Sequence, residues 1–193
     1  REEANLILGT DLLEHPEKAE GANNIVIVGG GVVGCETAHW LANEYGKNVT
    51  VLEMLPHFMM GVCTANRGHL LHYLEKSGVR LYNCTKVKAL AKDGVYVEQN
   101  QSQTVPDPYN TWQPLLPPNI PNPMEKAIKE EIVEKKIPAD LIVLAMGGKA
   151  DETFFFEAGE EHLAKEIYNI GDSSRAGRVL EAVRGAYHLA VRI

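Results

Sequence analysis

Short apolar runs alternate with longer mixed segments along the chain, and this pattern predicts strands separated by helices. The run IVIV at residues 25–28 predicts a buried strand, and residues 33–45 predict a helix. The segment NVTVLE at residues 48–53 predicts a second strand. Three glycines join the first strand to the helix. The two strands and the helix between them form a predicted βαβ unit, the basic unit of a parallel sheet.

A second group of elements follows this unit. Leu70, Leu71 and Leu74 recur at helical spacing within residues 64–78, and Gly78 stands where a C-terminal cap would. Three short strands are then predicted, the last two joined by the turn signal Asp-Gly: residues 79–83, 85–90 and 94–99. These strands predict a small antiparallel β excursion beside the parallel sheet.

Met124, Ile128 and Ile132 lie four residues apart and favour a short amphipathic helix over residues 124–136, although the last residues of this segment also fit a strand. Three further elements follow, namely a buried parallel strand, a strand that ends in Gly-Asp and a closing amphipathic helix: residues 139–148, 166–172 and 178–193. Together the elements predict an α/β fold with a Rossmann-like, doubly wound parallel sheet.

Seven of the ten prolines fall within residues 105–123. Proline lacks the N–H that a helix interior or a sheet ladder needs, so we expect this segment to be an extended excursion over the surface. One interpretation is a cover in which Trp112 and Leu115 pack. The alternative is a contact with another domain or subunit of a larger protein.

The composition excludes several classes of function. The formal net charge is −7 and no Lys/Arg-rich block occurs, so nucleic acid is not an expected partner. The apolar run LIVLAMGG is far shorter than the roughly 20 residues that span a bilayer, so we expect a cytoplasmic protein with no membrane partner. Cys35, Cys63 and Cys84 share no metal-ligand or dithiol spacing, and we expect small buried hydrophobes and no metal site.

The glycines after the first strand match the turn G-x-G-x-x-G at Gly29, Gly31 and Gly34, with Gly30 in a minor role between them. Such glycines let the backbone approach a pyrophosphate at the start of a helix, whereas the alternative is a packed turn with no ligand. Glu53 ends the second strand 19 residues after Gly34, where an acid accepts hydrogen bonds from ribose hydroxyls. The motif and this acid together predict nucleotide binding.

Glu53 also favours NAD(H) over NADP(H), because a carboxylate repels a 2′-phosphate and the following residues MLPHF contain no arginine. His57 and Lys47 are the candidate partners of such a phosphate. Glu36, one turn into the helix, has two interpretations that the sequence leaves open. It is either a first-turn acid stabilised by the helix dipole or a residue that projects toward the nicotinamide and a flavin.

Four segments in this order, VGGGVVGCETA, VTVLEM, ADLIVLAMGG and IYNIGDSSRAGRVLEAVRGAYHLAVRI, resemble one family. It is the C-terminal reductase portion of the large flavin oxidoreductases that include 2-enoate reductase, 2,4-dienoyl-CoA reductase and trimethylamine dehydrogenase. The resemblance covers about residues 5–193 and implies a fold of the FAD/NAD(P)-binding type within a larger protein. It implies three parts: residues 1–24, a linker and remnant of the FAD domain; residues 25–150, the NAD(H)-binding domain; and residues 151–193, the C-terminal part of the FAD domain.

The resemblance also implies roles for individual residues. It implies that Glu36 is the catalytic candidate beside the nicotinamide and that Val87 flanks the adenine. Gly147 is implied to lie at a strand end next to the nucleotide. Gly171 and Asp172 hold FAD, whereas the alternative for Asp172 alone is a helix N-cap or turn residue. The residues implied to bind the cofactors are Gly29, Gly30, Gly31, Val32, Val33, Gly34, Glu53, Met54, Val87, Gly147, Gly171 and Asp172.

The function that the resemblance implies is an NADH-binding module that passes hydride to FAD for the reduction of an activated C=C bond. FMN and [4Fe-4S] would belong to the parent protein only, and the partners would be its remaining FAD and barrel domains, an enoate substrate bound elsewhere and a possible second copy of the protein. The chain lacks the first FAD glycine motif and any Fe–S cysteine cluster, so we expect an incomplete FAD site and no activity of the chain alone.

Two other functions stand beside this one. The first is a non-catalytic structural module that binds ADP or NAD, as the resemblance to trimethylamine dehydrogenase permits. The second is a disulfide reductase of the related two-dinucleotide fold, against which the absence of a C-x-x-C or C-x4-C pair in this sequence argues.

Overall fold

Two sheets form the larger part of the structure, a computed structural model that describes residues 4–112, 120, 122–123 and 126–193. The strands in these residues are β1 (Leu6–Leu8), β2 (Asn24–Val28), β3 (Asn48–Leu52), β4 (Arg80–Tyr82), β5 (Thr85–Ala91), β6 (Gly94–Asn100), β7 (Ile132–Pro138) and β8 (Leu141–Leu144). Five of them form a parallel sheet in the order β1-β8-β2-β3-β4, and the other three form an antiparallel sheet in the order β5-β6-β7.

Three helices of the larger unit, those over residues 9–14, 32–45 and 64–76, contribute to a core on one face of the parallel sheet. The helices of the described residues are α1 (Gly9–Glu14), α2 (Val32–Tyr45), α3 (Thr64–Lys76), α4 (Thr153–Glu160) and α5 (Val179–Ala190). In α2, Cys35, Ala38 and Leu41 are fully buried and join Ile25 and Ile27 of β2 in one core. The predicted βαβ unit and the predicted helix that became α3 are therefore confirmed.

The antiparallel sheet covers the opposite face of the parallel sheet. Val95 and Val97 of β6 and Ile137 of β7 share a second core with Val26 and Ile142 of the parallel strands. The parallel sheet therefore lies between a helical layer and a β layer. Both faces can be covered because its strands carry apolar residues on both sides. This arrangement confirms the predicted fold class, a Rossmann-like parallel sheet with a small antiparallel sheet.

The predicted amphipathic helix is wrong for the described residues 126–136, whereas the alternative of a strand for the last residues of this segment is confirmed. Residues 126–131 are not helical and β7 begins at Ile132, while residues 124–125 lie outside the described residues. β7 pairs along its whole length with β6, from Ile132 against Asn100 to Pro138 against Gly94. The free edge of β6 offers backbone partners to a strand but none to a helix, and this pairing overrides the helical spacing of the apolar residues.

Residues 147–193 form a compact unit separate from the unit that ends at Met146. The closing helix is confirmed as α5, but the predicted strand over residues 166–172 is wrong. Residues 165–170 have no regular structure and Gly171–Ser173 form one 3₁₀ turn. Because the described part of this unit contains no other strand, the segment has no edge with which to pair.

The first strand and helix have no counterpart in the sequence predictions. β1 pairs with β8 and α1 buries Leu12 in the helical layer, so residues 6–14 belong to the same compact unit as β2. Which cofactor domain each segment serves stays a prediction. No helix in the ranges described here is long and apolar enough to cross a membrane.

Candidate functional site

The carboxyl ends of three neighbouring strands meet at one point of the sheet. Val28 is in register with Leu52 of β3 on one side and with Leu144 of β8 on the other. The next residue of each strand continues the ladder: the Gly29 N–H donates to the Leu52 carbonyl at 2.9 Å and the Ala145 N–H donates to the Val28 carbonyl at 2.8 Å. Since the chain leaves β2 for β3 while β8 lies on the other side, this is the topological switch point where ligands of such sheets bind.

Gly29 and Gly34 make the turn from β2 into α2 possible. Gly29 has a φ of +114°, and a Cβ there would lie 2.4 Å from the carbonyl oxygen of Ala145. A Cβ on Gly34 would lie 2.0 Å from the carbonyl oxygen of Gly29. Backbone atoms cannot yield at these distances, so both positions require glycine and the helix starts directly against the strand.

Gly30 has a larger structural role than the sequence predicts. Its N–H donates to Oε2 of Glu53 at 2.8 Å, and its carbonyl accepts a hydrogen bond of 2.8 Å from the N–H of Met59. A Cβ at this position would lie 2.4 Å from the ring of Phe58. The segment after β3 therefore holds the glycine loop through both backbone groups of Gly30, and the expectation of a minor role was wrong.

Gly31 differs from its neighbours because open space lies beside it. A Cβ on Gly31 would have nothing within 4 Å, and its φ of −72° is accessible to any residue. Gly31 is also the N-cap of α2 and has no side chain with which to cap the first turn. The first N–H groups of a helix have no partner within the helix, so the open space beside Gly31 at the start of this fourteen-residue helix fits the predicted pyrophosphate.

Glu53 lies at the end of β3, and its carboxylate can accept more hydrogen bonds than it does. Its Oε2 accepts the bond from Gly30 and its Oε1 accepts a bond of 2.8 Å from the N–H of Leu55. An ionised carboxylate has about four acceptor positions, so each oxygen retains room for a ribose hydroxyl. Met54, the next residue, is 71% exposed.

The candidate partners of a 2′-phosphate are poorly supported by the structure. Lys47 precedes the amino end of β3, about 20 Å from Glu53 by the rise of a strand, and its Nζ donates to the carbonyl of Glu20. No Lys or Arg occurs between Glu53 and Arg67 in the sequence. The segment after Glu53 therefore contributes no Lys or Arg before Arg67 that could pair with an added phosphate.

Arg67 is a buried residue that the sequence analysis missed. It is 3% exposed, its Nε donates to the Phe58 carbonyl at 3.0 Å and its Nη1 donates to the Asn110 carbonyl at 3.0 Å. Burial lowers the pKa of its guanidinium. Because Phe58 packs on Gly30, Arg67 supports the glycine loop from behind. The only sequence signal is an arginine among the apolar positions of α3.

The three cysteines differ in environment. Cys35 is fully buried behind the glycine loop, as predicted, and its Sγ lies 3.6 Å from the Gly30 carbonyl. Burial, and after it the charges of Glu53 and Glu36, raise the pKa of the Cys35 thiol to about 12. Cys63 is exposed and Cys84 only partly buried, so the expectation of buried hydrophobes was wrong for Cys63. In the residues described, no three His, Cys, Asp or Glu side chains are grouped as metal ligands.

The remaining predicted residues of the larger unit lie at separate places. Val32 is partly buried and Val33 is 48% exposed in the first turn of α2. Glu36 lies on the exposed face of that helix, so both interpretations of its role stay open. Val87 belongs to β5 and packs at the edge of the second core, where it is paired with Val97.

Three predicted residues belong to the C-terminal unit. Gly147 and Gly171 have φ values of +84° and +68°, which favour glycine at both positions. Oδ1 of Asp172 accepts a hydrogen bond of 3.2 Å from the N–H of Gly177, a contact within the turn before α5. Gly171 lines a cleft of about 670 Å³ together with Arg175 and other residues as far as His188 in the last turn of α5. The binding of FAD by these residues stays a prediction.

The proline-rich segment is described only in part. Tyr109 packs against the helical-face core and its hydroxyl donates to the Val79 carbonyl, so the beginning of the segment covers the domain. Trp112 is 61% exposed, and the expectation that it packs was wrong. Leu115 lies outside the described residues.

The fold and the glycine loop define a class, the Rossmann-type domains that bind a dinucleotide at the switch point of a parallel sheet. The family profile described as pyridine nucleotide-disulphide oxidoreductase matches residues 8–167. The chain belongs to this family, whose members are oxidoreductases with FAD- and NAD(P)-binding domains.

Characterised relatives align over nearly the whole chain. The NADH oxidase of Thermoanaerobacter brockii is 26% identical over 183 residues, which is 95% of this chain and 23% of the relative. The cinnamate reductase of Clostridium sporogenes is 22% identical over 180 residues, 92% of this chain and 22% of the relative. The chain therefore spans less than a quarter of the length of these relatives.

Solved structures with low sequence identity share the fold. A complex of 2-naphthoyl-CoA reductase with 2-naphthoyl-CoA superposes with a TM-score of 0.70 at 24% identity, over 97% of this chain and 23% of that one. Histamine dehydrogenase from Rhizobium sp. 4-9 superposes with a TM-score of 0.71 at 15% identity, over 98% of this chain and 25% of that one. At these identities the likeness concerns the fold alone.

Proposed function

We propose that this chain is the NADH-binding module of a multidomain flavin oxidoreductase of the 2-enoate reductase type. The observation that carries the proposal is the Glu53 carboxylate, which lies at the end of β3 and is hydrogen-bonded to the glycine loop. An acid in this place accepts the ribose hydroxyls of NAD(H) and repels the 2′-phosphate of NADP(H). The similarity to proteins named NADH oxidase and cinnamate reductase supports the same class of reaction.

The residues of the loop have distinct tasks in this proposal. The first-turn N–H groups after Gly31 bind the pyrophosphate, and the absence of a side chain on Gly31 lets it approach. Gly29 and Gly34 keep the helix start close to β2, and Glu53 orients the ribose. When bound, NADH supplies a hydride and FAD accepts it. Glu36 on the exposed face of α2 is the proposed residue on the nicotinamide side.

The other components of the reaction are proposed to lie largely in other parts of a longer protein. Gly147, Gly171 and Asp172 would contribute to the FAD site, which the remaining part of the FAD domain would complete. A barrel domain with FMN, a [4Fe-4S] cluster and the enoate substrate belong to the same proposal, as do a cytoplasmic location and association into a homo-oligomer. The resemblance of the four sequence segments supports this part.

A second candidate is a structural module that binds ADP or NAD without taking part in the reaction. The groups with defined geometry, the glycine loop and Glu53, all serve the pyrophosphate and the adenosine ribose, which ADP and NADH share. This observation supports nucleotide binding equally in both candidates. The two differ only in what happens at the nicotinamide.

Titration of the full chain with NADH, NADPH and ADP tests the binding site. We expect NADH to bind with a dissociation constant below 1 mM, on the order of ordinary cofactor sites, and more tightly than NADPH. Glu53→Arg should weaken NADH and relatively favour NADPH. If none of the three nucleotides binds with a dissociation constant below about 1 mM, both candidates fail.

Flavin reduction then separates the two candidates. In the longer protein that contains this chain, the reductase module predicts that NADH bleaches the flavin absorbance, and that Glu36→Gln slows this bleaching while NADH binding persists. A structural module predicts binding with no reduction of the flavin.

A further inference from the structure

A cavity of about 200 Å³ lies between the parallel sheet and β7. Asn24, the first residue of β2, and Arg80, the first residue of β4, line it together with Thr50, Tyr82 and Lys135. Because the glycine loop follows the other end of β2, the cavity lies at the amino end of the sheet and is separate from the dinucleotide site.

The cavity exists because one face of the sheet changes character along its strands. Toward the carboxyl ends, Val28 and Leu52 are register partners that pack against the antiparallel sheet. Toward the amino ends, the same face presents Asn24, Thr50 and Arg80, with Thr50 in register with Arg80. These polar side chains cannot join the apolar core, so the two sheets leave a space lined by hydrogen-bonding groups.

Thr50 is the buried member of this set. Thr50 is 1% exposed and lines the cavity. Within the described ranges no group forms a hydrogen bond with its hydroxyl. The hydroxyl is therefore an unused donor and acceptor at the wall of the cavity.

Two cations face the same space without a carboxylate partner in the part of the chain that the structure describes. Nζ of Lys135 lies 4.1 Å from the centre of the Tyr82 ring, and burial lowers the pKa of this lysine. No described carboxylate forms an ion pair with Lys135 or Arg80, whereas the neighbouring Lys136 is paired with Asp93. Arg80 is exposed and Lys135 is partly buried, and an anion in the cavity would lie within reach of both charges.

We propose that this cavity binds a small oxyanion of the phosphate type, held by Arg80, Lys135 and the hydroxyl of Thr50. The planar fork of arginine matches the oxygens of a phosphate, and the lysine adds a point charge. The cavity is smaller than the roughly 300–1,000 Å³ of sites for larger organic ligands, so a phosphate group fits its size better than a whole nucleotide. This site does not depend on the proposed function of the glycine loop.

Titration of the full chain with inorganic phosphate at constant ionic strength tests the site. We expect saturable binding, with backbone amide shifts in the NMR spectrum that centre on Thr50, Arg80 and Lys135. Arg80→Gln and Lys135→Gln should each weaken binding about tenfold, as expected for one charge-assisted hydrogen bond. Thr50→Val, which keeps the side-chain volume, should weaken it several-fold.

A matched control removes the same charge elsewhere. Lys86→Gln on the exposed side of β5 should leave the affinity unchanged. Saturating NADH should also leave it unchanged, and competition by NADH would place the phosphate at the glycine loop and overturn the proposal. So would the absence of saturable binding, or equal affinities of wild type and the three cavity variants when far-UV circular dichroism shows that all are folded.

Discussion

The carboxylate of Glu53 accepts a hydrogen bond of 2.8 Å from the backbone N–H of Gly30. The side chain expected to receive the ribose therefore also fixes the loop expected to receive the pyrophosphate. A single carboxylate links the two halves of an ADP site before any ligand arrives, which reduces the ordering that binding must achieve.

Glu53→Gln should impair both tasks. An amide has one oxygen, so it can accept from Gly30 or from Leu55 but leaves the other N–H without its acceptor. We expect a loss of about 1 kcal/mol in the free energy of unfolding and about a tenfold loss of NADH affinity. Urea denaturation and fluorescence titration measure the two effects. Glu44→Gln, an exposed acid of α2, is the control, and equal behaviour of the two variants would contradict this role of Glu53.

Alanine at Gly30 and at Gly31 should have opposite effects. Gly30→Ala places a methyl group against the Phe58 ring and should cost about 1–3 kcal/mol of stability. Gly31→Ala meets no protein atom and should change stability by less than about 0.5 kcal/mol. The same methyl group occupies the space through which the pyrophosphate approaches, so NADH affinity should fall about tenfold or more.

The two glycine variants are compared by thermal unfolding and by NADH titration. Phe58→Leu combined with Gly30→Ala should recover part of the lost stability, because the smaller side chain makes room for the methyl group. Full NADH affinity in the Gly31→Ala variant would show that the ligand does not approach at that position.

Arg67→Met should destabilise the domain although it keeps an apolar stem of similar length. The change leaves the carbonyls of Phe58 and Asn110 without their donor, and one of these lies behind the glycine loop. We expect a loss of about 2–3 kcal/mol in urea denaturation. Lys76→Met, an exposed change on the same helix, should have little effect. An equally small effect at Arg67 would mean that water replaces its hydrogen bonds.

The thiols should react in the order of their exposure. At pH 8 the exposed Cys63 should react rapidly with a disulfide reagent, and Cys35 only after unfolding, because burial holds its pKa at about 12. Absorbance of the released thiolate in native and denatured protein measures both rates. Rapid reaction of Cys35 in the native protein would show that the glycine loop opens readily.

The raised pKa of Cys35 also predicts a pH dependence. The unfolded chain loses this proton near pH 9 and the native protein near pH 12, so the contribution to stability is complete below pH 9 and is lost as the pH rises toward 12. Cys35→Ala should lack this decline. The free energy of unfolding of wild type and variant is measured by urea denaturation across this pH range. The difference between the two separates the contribution of Cys35 from those of the tyrosines and lysines that titrate at similar pH.

The sequence predicted the elements whose signal is local. The IVIV run, the three glycines and Glu53 lie within one βαβ unit, and their spacing alone places them at one edge of a sheet. The predicted hairpin between β5 and β6 also depends on adjacent residues, although its turn is formed by Lys92 and Asp93. Gly94 is the first residue of β6, where it is paired with Ala91. These features do not depend on the rest of the chain.

The features that the sequence missed depend on distant partners. β1 has only three residues, and it forms a strand because Leu6 is paired with Ile142. Residues 132–138 form a strand because they pair with the edge of β6, although the apolar residues of this segment have helical spacing. The contact of Phe58 with Gly30 and the buried guanidinium of Arg67 arise only when the segment after β3 folds back. No pattern within either segment indicates such a contact.

Arg67 joins the segment after β3 to the start of the proline-rich excursion, and Tyr109 attaches the same start to Val79. The excursion is therefore anchored at its first residues, and Asn110 is the last of these anchors in the part of the segment that the structure describes. Insertions or deletions placed after Asn110 begin beyond the contacts that steady the glycine loop. Related proteins can thus vary in length there, and acquire or lose a contact with other parts of an assembly, while the nucleotide end of the sheet keeps its geometry.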